Sequence, residues 1–240
     1  MKYAIVTGGT RGIGKQISVN LLKKGYFVFI TYPFMETSVS EGEKDLKQYG
    51  DNFLLYQMDQ SDAIQIKQFT EFIISKKINL DCIIANAGTT LKKSMEDITD
   101  KDWEDVFRVN FHSNFYILRD LNNILSKGAS VIFIGSAMAI YPHGLSLAYG
   151  VSKAALHALA KNLVKEYADR KIRINVVAPG FVETEWQKNK PIEIKNNIIN
   201  KTAIHRFASV EEISSACMFL IENEFMNGEI LEINGGYSYK

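Results

Sequence analysis

The segment Tyr149-Gly150-Val151-Ser152-Lys153 places a phenol and an ammonium four residues apart. On an α-helix this spacing brings both side chains to one face. Free tyrosine has a pKa of about 10, and a fixed cation nearby favours the tyrosinate and lowers that pKa. A tyrosine tuned in this way can donate or accept a proton near neutral pH. The pair is therefore a candidate for general acid–base catalysis.

A second tyrosine and lysine with the same spacing, Tyr167 and Lys171, shows that the spacing alone is weak evidence. This second pair lies beside Asp169 and Arg170 and is most simply a solvated helix end with cations near the C-terminal dipole. The first pair differs in its context, because Ser136 directly follows an apolar run that predicts a strand. Open α/β sheets bind ligands at the carboxyl ends of their strands. There the Ser136 hydroxyl can hydrogen-bond a substrate carbonyl as negative charge develops on its oxygen.

Two further polar positions belong to the same candidate site. The segment Asn86-Ala87-Gly88 follows another predicted strand, where the glycine permits close approach of a ligand and the asparagine is also a common turn residue. Asn110 lies inside a predicted helix, although asparagine is a poor helix former. Because Val109 and Phe111 flank it, Asn110 can be semi-buried and hold a water; the alternative is a polar residue on a solvated helix face.

The first predicted strand leads directly into a glycine turn, Thr7-Gly8-Gly9-Thr10-Arg11-Gly12-Ile13-Gly14. Glycine permits positive φ and lets a ligand approach the peptide N–H groups, and the start of the following helix attracts phosphate. The spacing of Gly8, Gly12 and Gly14 differs from the commonest dinucleotide-binding pattern, Gly-x-Gly-x-x-Gly. The strand before the turn and the amphipathic helix after it favour a pyrophosphate site over an ordinary strand-to-helix turn.

The end of the second predicted strand bears on which nicotinamide dinucleotide binds. An acidic residue there would accept from the ribose 2′-hydroxyl and disfavour a 2′-phosphate. The strand ends at Thr31-Tyr32-Pro33 without an acid, and Arg11 is placed to meet a phosphate, so we predict NADP(H). Glu36 lies slightly further on and leaves NAD(H) as the alternative. Asp59, after the third strand, can accept from the adenine amino group or form a plain Asx turn.

A sheet is needed to bring these segments together. Seven short apolar runs bounded by turn residues predict strands: Tyr3–Val6, Tyr26–Thr31, Phe53–Gln57, Leu80–Ala85, Ser130–Ile134, Arg173–Val177 and Glu229–Ile233. Amphipathic patterns predict helices from Ile13 to Gly25 and at Asp62–Lys76, Asp100–Leu125, Ala148–Tyr167 and Val210–Ile221. Their alternation predicts an α/β protein: a single-domain, Rossmann-type, doubly wound parallel seven-stranded sheet over residues 1–240. Residues 182–208 are the longest irregular segment, which predicts a substrate loop or lid.

The composition excludes several other classes of protein. Hydrophobic residues make up 46% and charged residues 23% of the 240 residues, as in an average globular protein. Lys plus Arg is 28 and Asp plus Glu is 27, so no overall field attracts nucleic acid or a membrane surface. Cys82 and Cys217 cannot build a disulfide framework and the four histidines form no metal motif, so we expect no metal. The chain shows neither a signal-peptide core nor an apolar run of membrane-spanning length, which predicts a cytoplasmic protein.

Taken together, these motifs resemble the short-chain dehydrogenase/reductase family, and they follow the family's order over nearly the whole chain. The matching pieces are the glycine turn, Asn86-Ala87-Gly88, Asn110, Ser136, Tyr149 with Lys153, Asn175-Val176-Val177-Ala178-Pro179-Gly180 and Asn234-Gly235-Gly236. The separation of Ser136 and Tyr149 is also the one familiar in that family. One small departure is Ala85, where many members carry a second asparagine.

The resemblance implies an NAD(P)-dependent oxidoreductase that needs no metal. It implies that Tyr149 is the general acid in carbonyl reduction, that Lys153 binds the nicotinamide ribose and lowers the Tyr149 pKa, and that Ser136 polarises the carbonyl. Asn110 would hold a water in a proton relay to Lys153. The predicted cofactor-binding residues are Gly8, Thr10, Arg11, Gly12, Ile13, Gly14, Thr31, Asp59, Asn86, Ala87, Gly88, Tyr149, Lys153, Pro179, Gly180, Val182 and Thr184.

Within the family, the glycine turn, residues 177–184, His205-Arg206-Phe207 and the Asn-Gly-Gly ending resemble the 3-oxoacyl-(acyl carrier protein) reductases most. This branch implies NADPH-dependent reduction of a 3-oxoacyl thioester in fatty acid biosynthesis, by a homotetramer. It also implies that Lys127 and Arg170 meet the acidic carrier protein near the site entrance; both can equally be solvated helix-end cations.

Two alternatives to this function stay open. One is an NAD(P)-dependent dehydrogenase of a sugar, a polyol or another small alcohol, because many such enzymes share these motifs. The other is a non-catalytic dinucleotide-binding regulatory protein on the same fold. The second alternative is disfavoured because Asn110, Ser136, Tyr149 and Lys153 are all present.

Overall fold

A computed structural model describes residues 1–33 and 37–239, and its centre is one sheet of seven parallel strands. The strands are β1 (Lys2–Val6), β2 (Tyr26–Tyr32), β3 (Phe53–Gln57), β4 (Leu80–Ala85), β5 (Leu125–Ile134), β6 (Arg173–Pro179) and β7 (Ile230–Ile233). Their spatial order is β3-β2-β1-β4-β5-β6-β7, and all neighbouring pairs are parallel. The predicted fold class and the seven predicted strands are confirmed.

Helices cover both faces of the sheet. They are α1 (Gly12–Lys23), α2 (Thr37–Lys47), α3 (Ala63–Ser75), α4 (Asp100–Phe107), α5 (Ser113–Leu121), α6 (Leu147–Glu166), α7 (Glu185–Lys188), α8 (Ile192–Lys201) and α9 (Val210–Glu222). Buried side chains of α3, α5 and α6 belong to one apolar core, and those of α1 and α9 belong to a second. Consecutive strand residues face opposite sides, so β1 sends Ile5 into the first core and Ala4 and Val6 into the second.

The helical pattern between β4 and β5 was predicted incompletely. The single helix expected over Asp100–Leu125 is divided into α4 and α5 by a wider π-helical turn at Arg108–His112. A short 3₁₀ turn at Asn122–Ile124 then leads into β5, which begins at Leu125 rather than at the predicted Ser130. The wider turn matters for the site because it contains Asn110.

The segment 182–208 is not irregular, as the sequence predicted, since it contains α7 and α8. The sequence also failed to indicate α2. Glu36, which left NAD(H) as an alternative, lies outside the described residues. Of the described helices, none combines the length and the apolar character that a membrane crossing requires.

The strand order reverses between β1 and β4, and this reversal positions the site. In open parallel sheets such a switch point leaves a crevice at the carboxyl ends of the strands. The glycine turn follows β1, Asn86 follows β4, Ser136 follows β5, and Gly180 follows β6. Four separate stretches of sequence therefore converge at one edge of the sheet.

Candidate active site

A cavity of about 690 Å³ lies along the carboxyl edge of the sheet. Its volume is in the range of small-molecule sites, about 300–1,000 Å³. Every residue predicted to bind the cofactor lines this cavity, from Gly8 in the glycine turn to Thr184 before α7. The sequence analysis missed other lining residues, among them Lys92, Phe181, Trp186 and Lys190. Phe181 follows the predicted Pro179-Gly180 turn and could have been found from it, whereas the two lysines belong to no motif.

The glycine turn is held in place from β4. Asn86 donates from Nδ2 to the carbonyl oxygens of Thr7 (2.9 Å) and Gly8 (3.0 Å). Gly8 has φ of 62°, and a Cβ on Gly14 would lie 2.3 Å from the Gly8 oxygen and 2.5 Å from Nδ2 of Asn86. The helix that begins at Gly12 has no side-chain cap, so its first N–H groups are left for a ligand. The turn therefore fits a pyrophosphate.

Thr31 and Asp59 line the cavity but already bond to protein groups. The Thr31 hydroxyl accepts from the Gly8 N–H at 3.3 Å and so supports the glycine turn. The Asp59 carboxylate accepts from the backbone N–H and the hydroxyl of Ser61, at 2.8 and 2.7 Å. The Asx turn that the sequence left as the alternative for Asp59 is thus formed. Besides Asp59, Glu185 is the one acidic residue among the described lining residues.

Ser136, Tyr149 and Lys153 meet at the same edge of the sheet. The Ser136 hydroxyl hydrogen-bonds the phenol of Tyr149 and also accepts from the N–H of Met138 at 3.1 Å. Lys153 lies one turn after Tyr149 on α6, with Nζ 5.9 Å from the centre of the Tyr149 ring. The Lys153 ammonium donates to the carbonyl oxygen of Ile134, the last residue of β5, at 2.7 Å. Three of the four predicted catalytic side chains are therefore close neighbours.

Burial shifts the two proton-carrying groups in opposite directions. Burial raises the pKa of Tyr149, and the hydrogen bond with Ser136 acts in the opposite direction. Burial also lowers the pKa of Lys153 to about 8. The prediction that Lys153 lowers the Tyr149 pKa is wrong for this structure, because removal of the phenol from water dominates. The Lys153 ammonium is directed at the Ile134 carbonyl.

Asn110 is fully buried and does not line the cavity. Its Nδ2 donates to the Thr89 carbonyl and to Oγ of Ser152, both at 2.9 Å. Its Oδ1 accepts from the Thr89 N–H at 2.8 Å, and its backbone carbonyl accepts from Asn114 at 2.7 Å. The solvated-face alternative is wrong, and the side chain is committed to protein partners rather than to the predicted water. Asn110 fastens the loop after β4 to α6.

Lys127 and Arg170 do not lie at the entrance of the cavity of their own chain. Lys127 is near the start of β5, and Arg170 precedes β6, so both are at the amino edge of the sheet. Arg170 donates to the Asn122 side chain at 2.9 Å and to the Leu125 carbonyl at 2.5 Å. Within one chain the predicted entrance position is therefore wrong, because the cavity lies at the opposite edge.

Known proteins share both the sequence pattern and the architecture. A family model described as short chain dehydrogenase matches residues 2–195. The 3-oxoacyl-(acyl-carrier-protein) reductase FabG of Buchnera aphidicola is 31% identical over 239 residues, 98% of this chain and 96% of that protein. A solved short-chain dehydrogenase/reductase of Serratia marcescens superposes with a TM-score of 0.92 at 30% identity, covering 99% of this chain and 98% of that one. The RhlG/NADP active-site complex of Pseudomonas aeruginosa gives 0.90 at 30% identity, over 98% and 96% of the two chains.

A phosphate-binding turn that shares its cavity with a buried tyrosine and lysine defines an NAD(P)-dependent oxidoreductase, in which the cofactor carries the redox chemistry. The match over residues 2–195 and the relatives of about 30% identity place this protein more closely. The chain belongs to the short-chain dehydrogenase/reductase family, as its sequence motifs predicted, and it resembles the 3-oxoacyl-(acyl-carrier-protein) reductases.

Proposed function

We propose that the protein reduces a 3-oxoacyl thioester, linked to an acyl carrier protein, to the 3-hydroxyacyl thioester with NADPH. The observation that carries this proposal is the contact of Ser136 with Tyr149 beside Lys153, in the cavity that also contains the glycine turn. The relatives named as 3-oxoacyl-(acyl-carrier-protein) reductases support the substrate class, since they align over nearly the whole of both chains. We further propose a homotetramer, as the family resemblance implies.

In the proposed reaction the bound cofactor supplies a hydride to the carbonyl carbon. The Ser136 hydroxyl and the Tyr149 phenol hydrogen-bond the carbonyl oxygen and stabilise the negative charge that develops there. Tyr149 holds its proton at neutral pH because burial raises its pKa, and it donates that proton to the oxygen. Lys153, whose ammonium is oriented by Ile134, stabilises the resulting tyrosinate and would hold the nicotinamide ribose.

For the cofactor we propose NADP(H) rather than NAD(H). β2 ends at Tyr32 and is followed by Pro33, so no acid stands at Thr31, Tyr32 or Pro33 to repel a 2′-phosphate. Arg11 is exposed beside the glycine turn and adds a cation on this side of the cavity. The Pseudomonas RhlG structure, which superposes over nearly the whole chain, is an NADP complex. A higher kcat/KM with NADPH than with NADH would support this choice.

The test is loss of NADPH absorbance with an acetoacetyl thioester. The Tyr149→Phe variant is expected to lower kcat by about 10²–10⁴-fold, because it removes the proton donor, while the Kd for NADPH changes little. Tyr167→Phe is the matched control, since Tyr167 also precedes a lysine by four residues but lies outside the cavity.

Other outcomes would replace the proposal. Oxidation of polyols or sugars without turnover of any acyl thioester would assign a small-alcohol dehydrogenase. NADPH binding without turnover of any carbonyl compound would indicate a regulatory protein. Full activity of Tyr149→Phe on the thioester would contradict the mechanism while leaving the substrate class intact.

A further inference from the structure

Two lysines from different loops line the cavity without an ion-pair partner in the described part of the chain. Lys92 lies on the loop after β4, and Lys190 lies just after α7. Their sequence neighbours differ from them: Lys93 pairs with Asp102 at 2.6 Å, and Lys188 does not line the cavity. Two ammonium groups without a counter-charge at the wall of a ligand cavity need an explanation.

The surroundings of Lys190 are positive. This side chain is half-buried, and its Nζ lies 5.0 Å from the centre of the Phe181 ring. Burial lowers the pKa of Lys190, and the ammonium groups of Lys92 and Lys195 lower it further. No carboxylate acts in the opposite direction, although Glu185 lines the same cavity. Like charges held together cost Coulombic energy, which a bound anion would offset.

The position of the pair separates it from the phosphate-binding glycine turn. Phe181 follows β6, and its ring packs against His143 at 6.1 Å and Tyr237 at 5.3 Å between ring centres. These aromatic residues belong to the loops after β5, β6 and β7, whereas the glycine turn follows β1. The lysine beside Phe181 is therefore on the side of the cavity away from the glycine turn.

We infer that Lys92 and Lys190 form a second anion site, which binds a phosphate group carried by the substrate at a distance from its reacting carbonyl. The inference rests on the proposed function, because the acyl group of a carrier-linked thioester is held on a phosphopantetheine arm that ends in a phosphate ester. Lysine binds phosphate as a point charge, and two ammonium groups match the charge of a phosphate.

The experiment uses two substrates that differ by a single phosphate, acetoacetyl-4′-phosphopantetheine and acetoacetyl-pantetheine. The wild-type enzyme is expected to show the lower KM for the phosphorylated substrate, and this preference is expected to shrink as salt is added. Lys92→Met and Lys190→Met are each expected to reduce the ratio of the two KM values by about three- to tenfold, and the double variant by more. Lys93→Met and Lys188→Met are the matched controls and are expected to keep the wild-type ratio.

The outcomes separate this inference from the proposed function. If both thioesters are reduced and the double variant keeps the wild-type KM ratio, the anion site is wrong and the reductase function stands. A rise in the Kd for NADPH as large as the change in KM ratio would assign the lysines to the cofactor and overturn the inference. An effect seen only with the intact carrier protein would assign them to its acidic surface, which also overturns it.

If no thioester is reduced, the proposed function fails, and binding still decides the anion site. Calorimetry would compare 4′-phosphopantetheine with pantetheine on the wild type and on the Lys92→Met/Lys190→Met double variant. A phosphate-dependent affinity that the double variant loses supports the site. Equal affinities for the two compounds on the wild type overturn it.

Discussion

Replacing Asn110 by alanine removes three buried hydrogen bonds between the loop after β4 and α6. They join Nδ2 to the Thr89 carbonyl and the Ser152 hydroxyl at 2.9 Å, and Oδ1 to the Thr89 N–H at 2.8 Å. At about 0.5–1.5 kcal/mol net for each bond, the free energy of unfolding is expected to fall by roughly 1.5–4.5 kcal/mol. Because Ser152 lies between Tyr149 and Lys153 on α6, kcat is expected to fall together with stability.

Urea unfolding followed by circular dichroism measures the first quantity, and thioester reduction measures the second. Asn162→Ala is the matched control, since this exposed asparagine of α6 makes only a local bond to the Ala158 carbonyl at 2.8 Å. Its free energy of unfolding is expected to stay within about 0.5 kcal/mol of the wild type. If Asn110→Ala keeps the wild-type stability while kcat collapses, Asn110 acts in the reaction itself and the fastening role is refuted.

Two further predictions concern Lys153 and the glycine turn. Burial lowers the Lys153 pKa to about 8 from its ordinary 10.5, so the unfolded chain binds more protons in between; the free energy of unfolding should therefore rise with pH across this window, relative to Lys153→Met. Denaturation at several pH values checks this, and a pH-independent difference would contradict it. Gly14→Ala places a Cβ 2.3 Å from the Gly8 oxygen, and fluorescence titration should show NADPH binding weakened by at least about tenfold. Gly144→Ala, with no atom within 4 Å of the added carbon, is its control, and an unchanged Kd for Gly14→Ala would show that the turn yields.

The strands could be predicted because both faces of the sheet are covered. A doubly covered strand is apolar at every position, as β4 shows, where Cys82 and Ile84 face one core and Ile83 faces the other. The start of β5 was missed for the opposite reason. Lys127 and Gly128 are exposed beyond the covered part of the sheet, so the apolar signal began only near Ser130.

The missed helices carry little apolar signal of their own. In α2 the buried apolar side chains of the described residues are Val39 and Leu46, and the helix packs on the glycine turn, where a Cβ on Gly42 would lie 2.3 Å from the Thr10 oxygen. In α8 the side chain of Ile198 is buried, whereas Ile192 and Ile194 are exposed. Tertiary contacts of this kind leave no periodic pattern in the sequence.

The same limit applied to the site. Strand ends of a parallel sheet meet at one edge, so the convergence of the glycine turn, Asn86 and Ser136 followed from the fold. The partners of Asn110 did not follow, because Thr89 and Ser152 lie 21 and 42 residues away along the chain. The two cavity lysines likewise belong to no motif, and only the packing of α7 brings Lys190 to the wall that Lys92 also lines.

In the proposed reduction, the opposite pKa shifts of Tyr149 and Lys153 have a single physical origin. Removal from water disfavours the charged form of each group, so the phenol keeps its proton and the ammonium loses its own more easily. A protonated phenol is the form that can donate to a carbonyl oxygen, whereas oxidation of an alcohol requires the tyrosinate as the base. Since the charge on Lys153 persists below pH about 8, neutral pH combines a protonated acid with a cation beside it. Burial therefore favours the protonation states that carbonyl reduction uses.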